Sequence, residues 1–320
     1  MTDGPAVEAR GLGRRFGDDA ALQEVSFDVA PGELYGIIGP DGAGKTTLFR
    51  ILVTLLLPDA GEGRVLGRDV VKDMWDLRTR IGYMPGRFSL YPDLSVLENL
   101  TFFASLFNTT VTEAEKTIEP IWVQLERFSG RRAGALSGGM KQKLALCCAL
   151  VHRPEILFLD EPTTGVDAVS RKEFWDLLAR LRDEGLPIVV STPYMDEAIR
   201  CDRVSLMQAG KLLVTDRPAE IGRRYPRPLF AVRGPHILGL LGALRRFPHA
   251  AAVWPFGEAL HYTDNRQDAP PDLIARELTR HVTSEGLTDV SMGPIAASIE
   301  DAFMWYMAEG HQLSAIGYQS

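Results

Sequence analysis

The sequence has little cysteine, no basic excess and no long apolar run. Among its 320 residues are three cysteines, Cys147, Cys148 and Cys201, with no CxxC pair and no Cys/His spacing of the kind that holds zinc. That excludes a disulfide framework and a zinc module, and leaves the expectation of three reduced, buried thiols in a cytosolic protein. Lys and Arg number 35 against 42 Asp and Glu, a net charge of −7. A general nucleic-acid binder usually carries the opposite balance, so no nucleic-acid partner is expected. The most apolar stretch, Ile51 to Leu57, is far short of the roughly 20 residues that a membrane-crossing helix needs. The opening MTDGPAVEARGLGRRF contains no apolar segment of the secretory-leader kind. Direct membrane insertion is therefore not expected, and work at a membrane would go through a partner. No internal repeat or low-complexity stretch stands out.

What is there is an ordinary globular composition, 45% hydrophobic and 24% charged, enough for one large domain or two smaller ones. Val25, Phe27 and Val29 alternate with polar neighbours, as on a half-buried strand. After the turn signal Pro31-Gly32, Leu34 to Ile38 reads as a buried central strand, followed by a glycine-rich loop and a helix over Lys45 to Leu57. From about Arg87 the pattern turns helical, with Ser95 and Glu98 spaced as a capping box and Leu97, Leu100, Ala104 and Phe107 on one stripe. Ser137 caps a further helix, which Pro154 stops. Ile156 to Leu159 and Ile188 to Ser191 read as buried strands around an amphipathic helix, Arg171 to Arg182. This alternation predicts an α/β fold with a parallel sheet.

Near Tyr225-Pro-Arg-Pro228 the pattern changes to short strands at Leu229–Val232, Ala251–Trp254 and Leu260–Tyr262. Helices are expected over His236–Phe247, Asp272–Val282 and Ile299–Met307. The reading is a first domain over 1–225, with a helical subdomain at about 87–153, and a small α+β accessory domain over 226–320. Trp254, Trp305 and Tyr306 read as core or interface aromatics rather than a ligand cage.

Three segments carry chemistry. Gly39-Pro40-Asp41-Gly42-Ala43-Gly44-Lys45-Thr46 fits G-x-x-x-x-G-K-[ST]. Glycines let the backbone N–H groups close on phosphates, and the following helix turns its positive end toward them. Lys45 would reach the β- and γ-phosphates of ATP, the Thr46 hydroxyl would hold Mg²⁺, and Thr47 would add a phosphate contact. Next, Ile156-Leu-Phe-Leu-Asp160-Glu161 is an apolar strand ending in two carboxylates. Asp160 would complete the Mg²⁺ shell, and Glu161 would polarise the attacking water. Last, Leu136-Ser137-Gly138-Gly139-Met-Lys-Gln142 is a second Ser/Gly-rich turn opening a helix.

With this third segment the sequence resembles the ATP-binding cassette (ABC) ATPases, in which the same three motifs occur in the same order; the resemblance covers residues from about 6 to 225. It implies a P-loop NTPase core with an antiparallel β subdomain and a helical insertion. It also implies a head-to-tail dimer in which Ser137, Gly138, Gly139 and Gln142 meet the ATP held by a second cassette. Phe16 matches the position that stacks on adenine, and Asp167 the loop that communicates across the dimer. Gly39-Pro-Asp-Gly-Ala-Gly-Lys-Thr-Thr, Met140-Lys-Gln-Lys-Leu and Ile299-Glu-Asp-Ala-Phe303 resemble the multidrug-type bacterial exporter branch, and within it the N-terminal cassette of proteins that fuse two. Membrane-spanning permease subunits are the implied partners, which would hold the chain to the inner face of the cell membrane. The C-terminal domain is expected to contact the paired cassette or to regulate its opening.

Two positions depart from the family. Gly86 stands where these ATPases carry a Gln that senses γ-phosphate and Mg²⁺, and Pro193 where they carry a His that orients the attacking water. Glycine offers no side chain and proline not even an N–H. The expectation is good Mg-ATP binding with slow hydrolysis. The alternatives are a regulatory or degenerate partner cassette with little turnover and, less favoured by one cassette and an acidic balance, a soluble ABC protein acting on DNA or ribosomes.

Overall fold

The computed structural model describes residues 4–86 and 90–316, with side chains as far as residue 308. Backbone contacts divide the chain into two units, Met1–Pro218 and Ala219–Ser320, somewhat before the Tyr225–Pro228 turn.

The first unit opens with strands β1 (Val7–Phe16), β2 (Asp19–Val29) and β3 (Leu34–Ile38), then helix α1 (Lys45–Leu52). There follow β4 (Ala60–Val65), β5 (Arg68–Asp69), α2 (Met74–Arg80) and β6 (Ile81–Met84). Helices α3 (Val96–Leu106), α4 (Val111–Leu125) and α5 (Gly138–Leu150) intervene before β7 (Ile156–Asp160). Then come α6 (Ala168–Asp183), β8 (Ile188–Thr192), α7 (Met195–Ala198), β9 (Arg203–Gln208) and β10 (Lys211–Asp216), with α8 (Pro218–Arg223) at the boundary.

Two sheets result. One is antiparallel, in the order β2-β1-β4-β5; the other runs β10-β9-β3-β8-β7-β6. In the second, β9, β3, β8, β7 and β6 are parallel and β10 is antiparallel to β9. β3, β7 and β8 are buried at every residue. Covered on both faces, such strands read as continuous apolar runs rather than alternating ones, which is why they were legible. β2 alternates as expected, with Val25, Phe27 and Val29 buried. Phe49 of α1 meets Phe158 of β7 edge-on, ring centroids 5.8 Å apart, and fixes the helix after the glycine loop against the strand that ends in Asp160. α3 to α5 form the helical insertion, and capping boxes open α3 at Ser95/Glu98 and α4 at Thr110/Glu113.

Three sequence expectations need correction or restriction. The first helix stops at Leu52 instead of Leu57, because Thr54 takes a left-handed backbone (φ 64°) and the Leu55 and Leu56 amides both close on Arg50 O. Such a residue ends a helix by satisfying its last carbonyls. On α3, Leu100 and Ala104 are buried but Leu97 is exposed, so the stripe is narrower than its spacing suggests. The expected start of the insertion at Arg87 lies outside the described residues. The cysteines are free and buried, and burial pushes each thiol pKa up, as expected of inert core thiols. Among the described residues no helix is long and apolar enough to cross a membrane.

The second unit holds β11 (Leu229–Arg233), α9 (Ile237–Arg246), β12 (Ala250–Phe256), β13 (Ala259–Asp264), α10 (Pro271–Ser284), β14 (Ser291–Pro294) and α11 (Ile299–Ile316). Its sheet is antiparallel, in the order β12-β13-β11-β14. Leu240 and Leu244 of α9 and Ile274 and Leu278 of α10 pack with Phe230 and Tyr262 of the sheet into one core, giving a small α+β unit.

Candidate functional site

The site grows from the ends of three parallel strands. β3 runs into Gly39, whose N–H donates to Thr192 O at the end of β8 (3.2 Å). A Cβ at Gly39 would stand 2.2 Å from Met207 O, so no larger residue fits between the loop and β9. At Gly44 the backbone is left-handed (φ 107°), and a Cβ would also strike Ala21 O at 2.4 Å. The loop thus closes tightly and releases directly into α1, which has no side-chain cap. The first N–H groups of a helix lack intrahelical partners, so Lys45, Thr46 and Thr47 present theirs at the mouth of the loop together with the helix dipole.

Lys45 is 4% exposed, and its Nζ donates to Gly39 O (2.8 Å) and Pro40 O (3.0 Å) and pairs with Glu161 Oε1 (3.0 Å). Three donors meet three oxygens, as a buried ammonium requires. Glu161 follows β7 with a left-handed backbone (φ 50°), rare for a residue with a side chain. Its N–H donates to both Ser191 O and Ser191 Oγ (3.0 Å each), while the same hydroxyl donates to Asp160 Oδ1 (2.6 Å). One serine therefore holds both carboxylate residues. Beside it, Tyr83 has its phenol pushed up to about 12, by burial first and by the Asp160 carboxylate second.

Thr163 and Thr192 donate to opposite oxygens of Glu197 (2.6 and 2.5 Å), a carboxylate only 2% exposed, and Arg171 lies 3.9 Å from it. Ser191, Thr192, Thr163 and Glu197 were not singled out by the sequence reasoning. The one sequence signal for the first two is a pair of hydroxyl residues ending an apolar strand.

The other candidates fall as follows. Gly86 is exposed, and a Cβ there would lie 3.0 Å from Asp160 O and 3.8 Å from its Cγ; a side chain at this position would start beside the strand-end carboxylate. Pro193 is half-buried between Thr192 and Tyr194, whose N–H donates to Thr192 Oγ1 (3.1 Å). Asp41 and Gly42 are exposed at the loop tip, and Ala43 is buried with its carbonyl accepting from Gly210 N (2.9 Å). Phe16 is no core residue: it is 49% exposed at a hairpin tip, with the Arg14 guanidinium 5.0 Å from its ring centroid.

Ser137 caps α5, accepting from Met140 N (3.4 Å), and both Ser137 and Gly138 are exposed; Gln142, a turn further on, is half-buried. Asp167 caps α6 by accepting from Ser170 N (3.0 Å), and that bond holds its carboxyl below the usual range. Gly139 packs against the same turn. A Cβ there would stand 2.5 Å from Ser170 Cβ and Oγ, whereas one at Gly138 would meet only Gly165 O at 3.7 Å. Gly139→Ala is therefore expected to cost about 1–3 kcal/mol by overpacking, and Gly138→Ala to be neutral or stabilising by up to about 1 kcal/mol. Thermal melting of the two variants side by side checks this; equal melting temperatures would refute it.

Unpaired N–H groups at the start of α1, a buried lysine and two strand-end acids form a set suited to holding a polyphosphate and activating water. Thr46 and Asp160 are hard oxygen donors, and among the described residues no group of three His, Cys, Asp or Glu gathers as a metal cage. Hard oxygen donors suit Mg²⁺, which commonly takes one or two protein ligands and completes its shell with phosphates and water.

Comparison with known proteins agrees with this chemistry. The family described as ABC transporter matches residues 22–164. The chain is 37% identical over 304 residues to a probable multidrug ABC transporter ATP-binding protein, YbhF, of Escherichia coli K12, covering 93% of this chain and 51% of that protein. It is 34% identical over 307 residues to the Nod factor export ATP-binding protein I of Burkholderia pseudomallei K96243, covering 93% and 95%. A dimeric structure of MJ0796, a bacterial ABC transporter cassette, superposes with a TM-score of 0.59 at 26% identity, covering 66% of this chain and 98% of that one. The chain spans about half the length of YbhF and of its Shigella flexneri counterpart.

Proposed function

Because the chain belongs to the ATP-binding cassettes of ABC transporters, we propose that it binds Mg-ATP and hydrolyses it slowly at its own site, as the nucleotide-binding subunit of a bacterial export-type transporter. The observation that carries the binding half is the loop Gly39–Thr47 closed around Lys45, with Asp160 and Glu161 at its rim. The backbone N–H groups and Lys45 bind the phosphates, and Phe16 offers a face to the base. Thr46 and Asp160 hold Mg²⁺, which when bound neutralises phosphate charge. Glu161 orients a water and takes its proton as that water attacks phosphorus and ADP leaves. Ser191 keeps both acids in place.

The transport half rests on relatives. Their names speak of multidrug and Nod factor export; for this chain the cargo class is proposed only as export substrate selected by membrane-spanning permease subunits. Those subunits would hold it at the inner face of the membrane. Ser137 and Gly138, exposed, Gln142, half-buried, and Gly139, buried against Ser170, stand at the start of α5 and would meet the ATP of a second cassette, with Asp167 beside them at the cap of α6. The second unit is proposed as an accessory domain.

Gly86 and Pro193 favour the slow reading, and with it a role as the weaker member of an asymmetric pair. Position 86 lies against Asp160, and nothing there can sense the phosphate. Adding one well-placed proton-transfer group commonly contributes ~100-fold or more. Pro193→His is expected to raise the ATP turnover of the purified chain by about tenfold, and the double variant with Gly86→Gln further, once Asp160 O yields a few tenths of an ångström. Turnover unchanged or lowered in both variants would overturn the slow-site reading and leave nucleotide binding untouched.

A further inference from the structure

We propose that the second unit carries a binding site for a small organic anion with an apolar body, formed by Arg227, Arg245, Trp254 and Trp305. It is independent of the nucleotide site. The two tryptophans, expected as core or interface residues, line a cavity of about 500 Å³. That size suits a small ligand. The cavity exists because its strand wall is built from Ala250, Ala251 and Ala252, whose methyl groups leave the space unfilled. β12 is an edge strand, and its ladder to β13 slips between Ala250 and Ala252. Such bulges bend a strand and re-aim its side chains.

The chemistry of the wall is one-sided. Trp305 is 8% exposed, yet its indole N–H has no acceptor; the same holds for the Trp254 indole and for Arg227 Nε. Native proteins leave few buried donors unpaired, and each calls for an explanation. Indole and guanidinium groups donate and never accept. Among the described residues no carboxylate lines the cavity, and Arg245 makes no ion pair. Two cations thus line the cavity with only small apolar side chains between them, and three unpaired donors lie buried in its wall. A neutral or cationic ligand would leave the donors and both charges unanswered, whereas a carboxylate supplies acceptors and charge together.

The wall is also held in place before any ligand arrives. Arg227 donates through Nη1 to Asn265 O, and its guanidinium lies 5.9 Å from the Trp305 ring centroid. Tyr225 meets Trp305 edge-on at 5.7 Å and is tied by its hydroxyl to Thr263 Oγ1 at 2.7 Å. Two indole side chains and three alanines give the cavity an apolar lining beside its cations. That lining selects an anion with an apolar body over a compact inorganic ion.

Calorimetric titration of the full chain with 2-naphthoate, and separately with the neutral 2-naphthamide, tests the proposal. The carboxylate is expected to bind saturably at one site, at least about tenfold more tightly than the amide. Trp305→Phe keeps the ring and removes the donor; Arg227→Gln removes the charge. Each is expected to weaken 2-naphthoate binding about tenfold, the scale of one charge-assisted hydrogen bond, with ATP binding unchanged. No saturable binding, equal affinity for the two probes, or two variants that bind as the unmodified chain does would overturn it. The comparison of the two probes on the unmodified chain needs no variant, so a misfolded substitution does not blunt the test.

Discussion

Lys45→Ala is expected to weaken ATP binding by at least about 100-fold and to remove turnover with it. The lysine is nearly fully buried and answers three oxygens, two of them carbonyls of its own loop. Truncating one member of a buried, hydrogen-bonded charge pair costs about 2–5 kcal/mol, which is roughly 30-fold to several thousand-fold in affinity. Two losses add here. The phosphates lose their cation, and Glu161 is left facing them without a counter-charge, so the empty position repels the nucleotide. Calorimetric titration with Mg-ATP reads the affinity, and Lys45→Met, which keeps the apolar stem, separates lost charge from lost packing. A Lys45→Ala chain that binds ATP within threefold of the unmodified protein would remove the phosphate loop from its assigned role.

Glu161→Gln is expected to move binding and turnover in opposite directions. The amide keeps the size of the side chain and loses both its negative charge and its capacity to take a proton. General-base contributions are typically about 100- to 10,000-fold, so turnover should fall by at least about 100-fold. Affinity should rise a fewfold, because the carboxylate 3.0 Å from Lys45 Nζ competes with phosphate for the same cation in the nucleotide-free chain. Paired measurements of Kd and kcat decide the matter. A variant that loses affinity and rate together would mean that Glu161 serves the fold of the loop and not the chemistry.

The parts of this site that the sequence disclosed are those set by backbone geometry and charge at fixed spacing. Gly39, Gly44 and Gly139 leave a mark because no other residue fits beside Met207 O, Ala21 O or Ser170. Asp160 and Glu161 stand out because two charges end an otherwise apolar strand. Phe16 carries no such mark, since an aromatic beside a turn could equally be core; its exposure removes that role. What stayed hidden depends on tertiary neighbours. Ser191 reads as one more residue of a buried strand until the parallel register brings it opposite Asp160. Glu197 reads as part of a surface acidic pair until Thr163 and Thr192 close on it. The early end of α1 turns on a left-handed threonine, a conformation that threonine does not advertise. In the second unit three strands and the three helices are legible from their periods, while β14 is not. The cavity was not, since three alanines in a strand look like filler.

The seam at the end of β8 has a bearing on descent. Ser191 secures both acids, Thr192 O secures the loop through Gly39, and Thr192 Oγ1 secures Glu197. None of these bonds uses the side chain of residue 193. On the proposed reading, a lineage can therefore do without a water-orienting side chain at that position while its nucleotide pocket stays standing, and a single base change in some proline codons gives histidine. Position 86 is less forgiving, because any side chain there must first clear Asp160 O. On that reading, occupancy by nucleotide and speed of turnover are separately heritable traits.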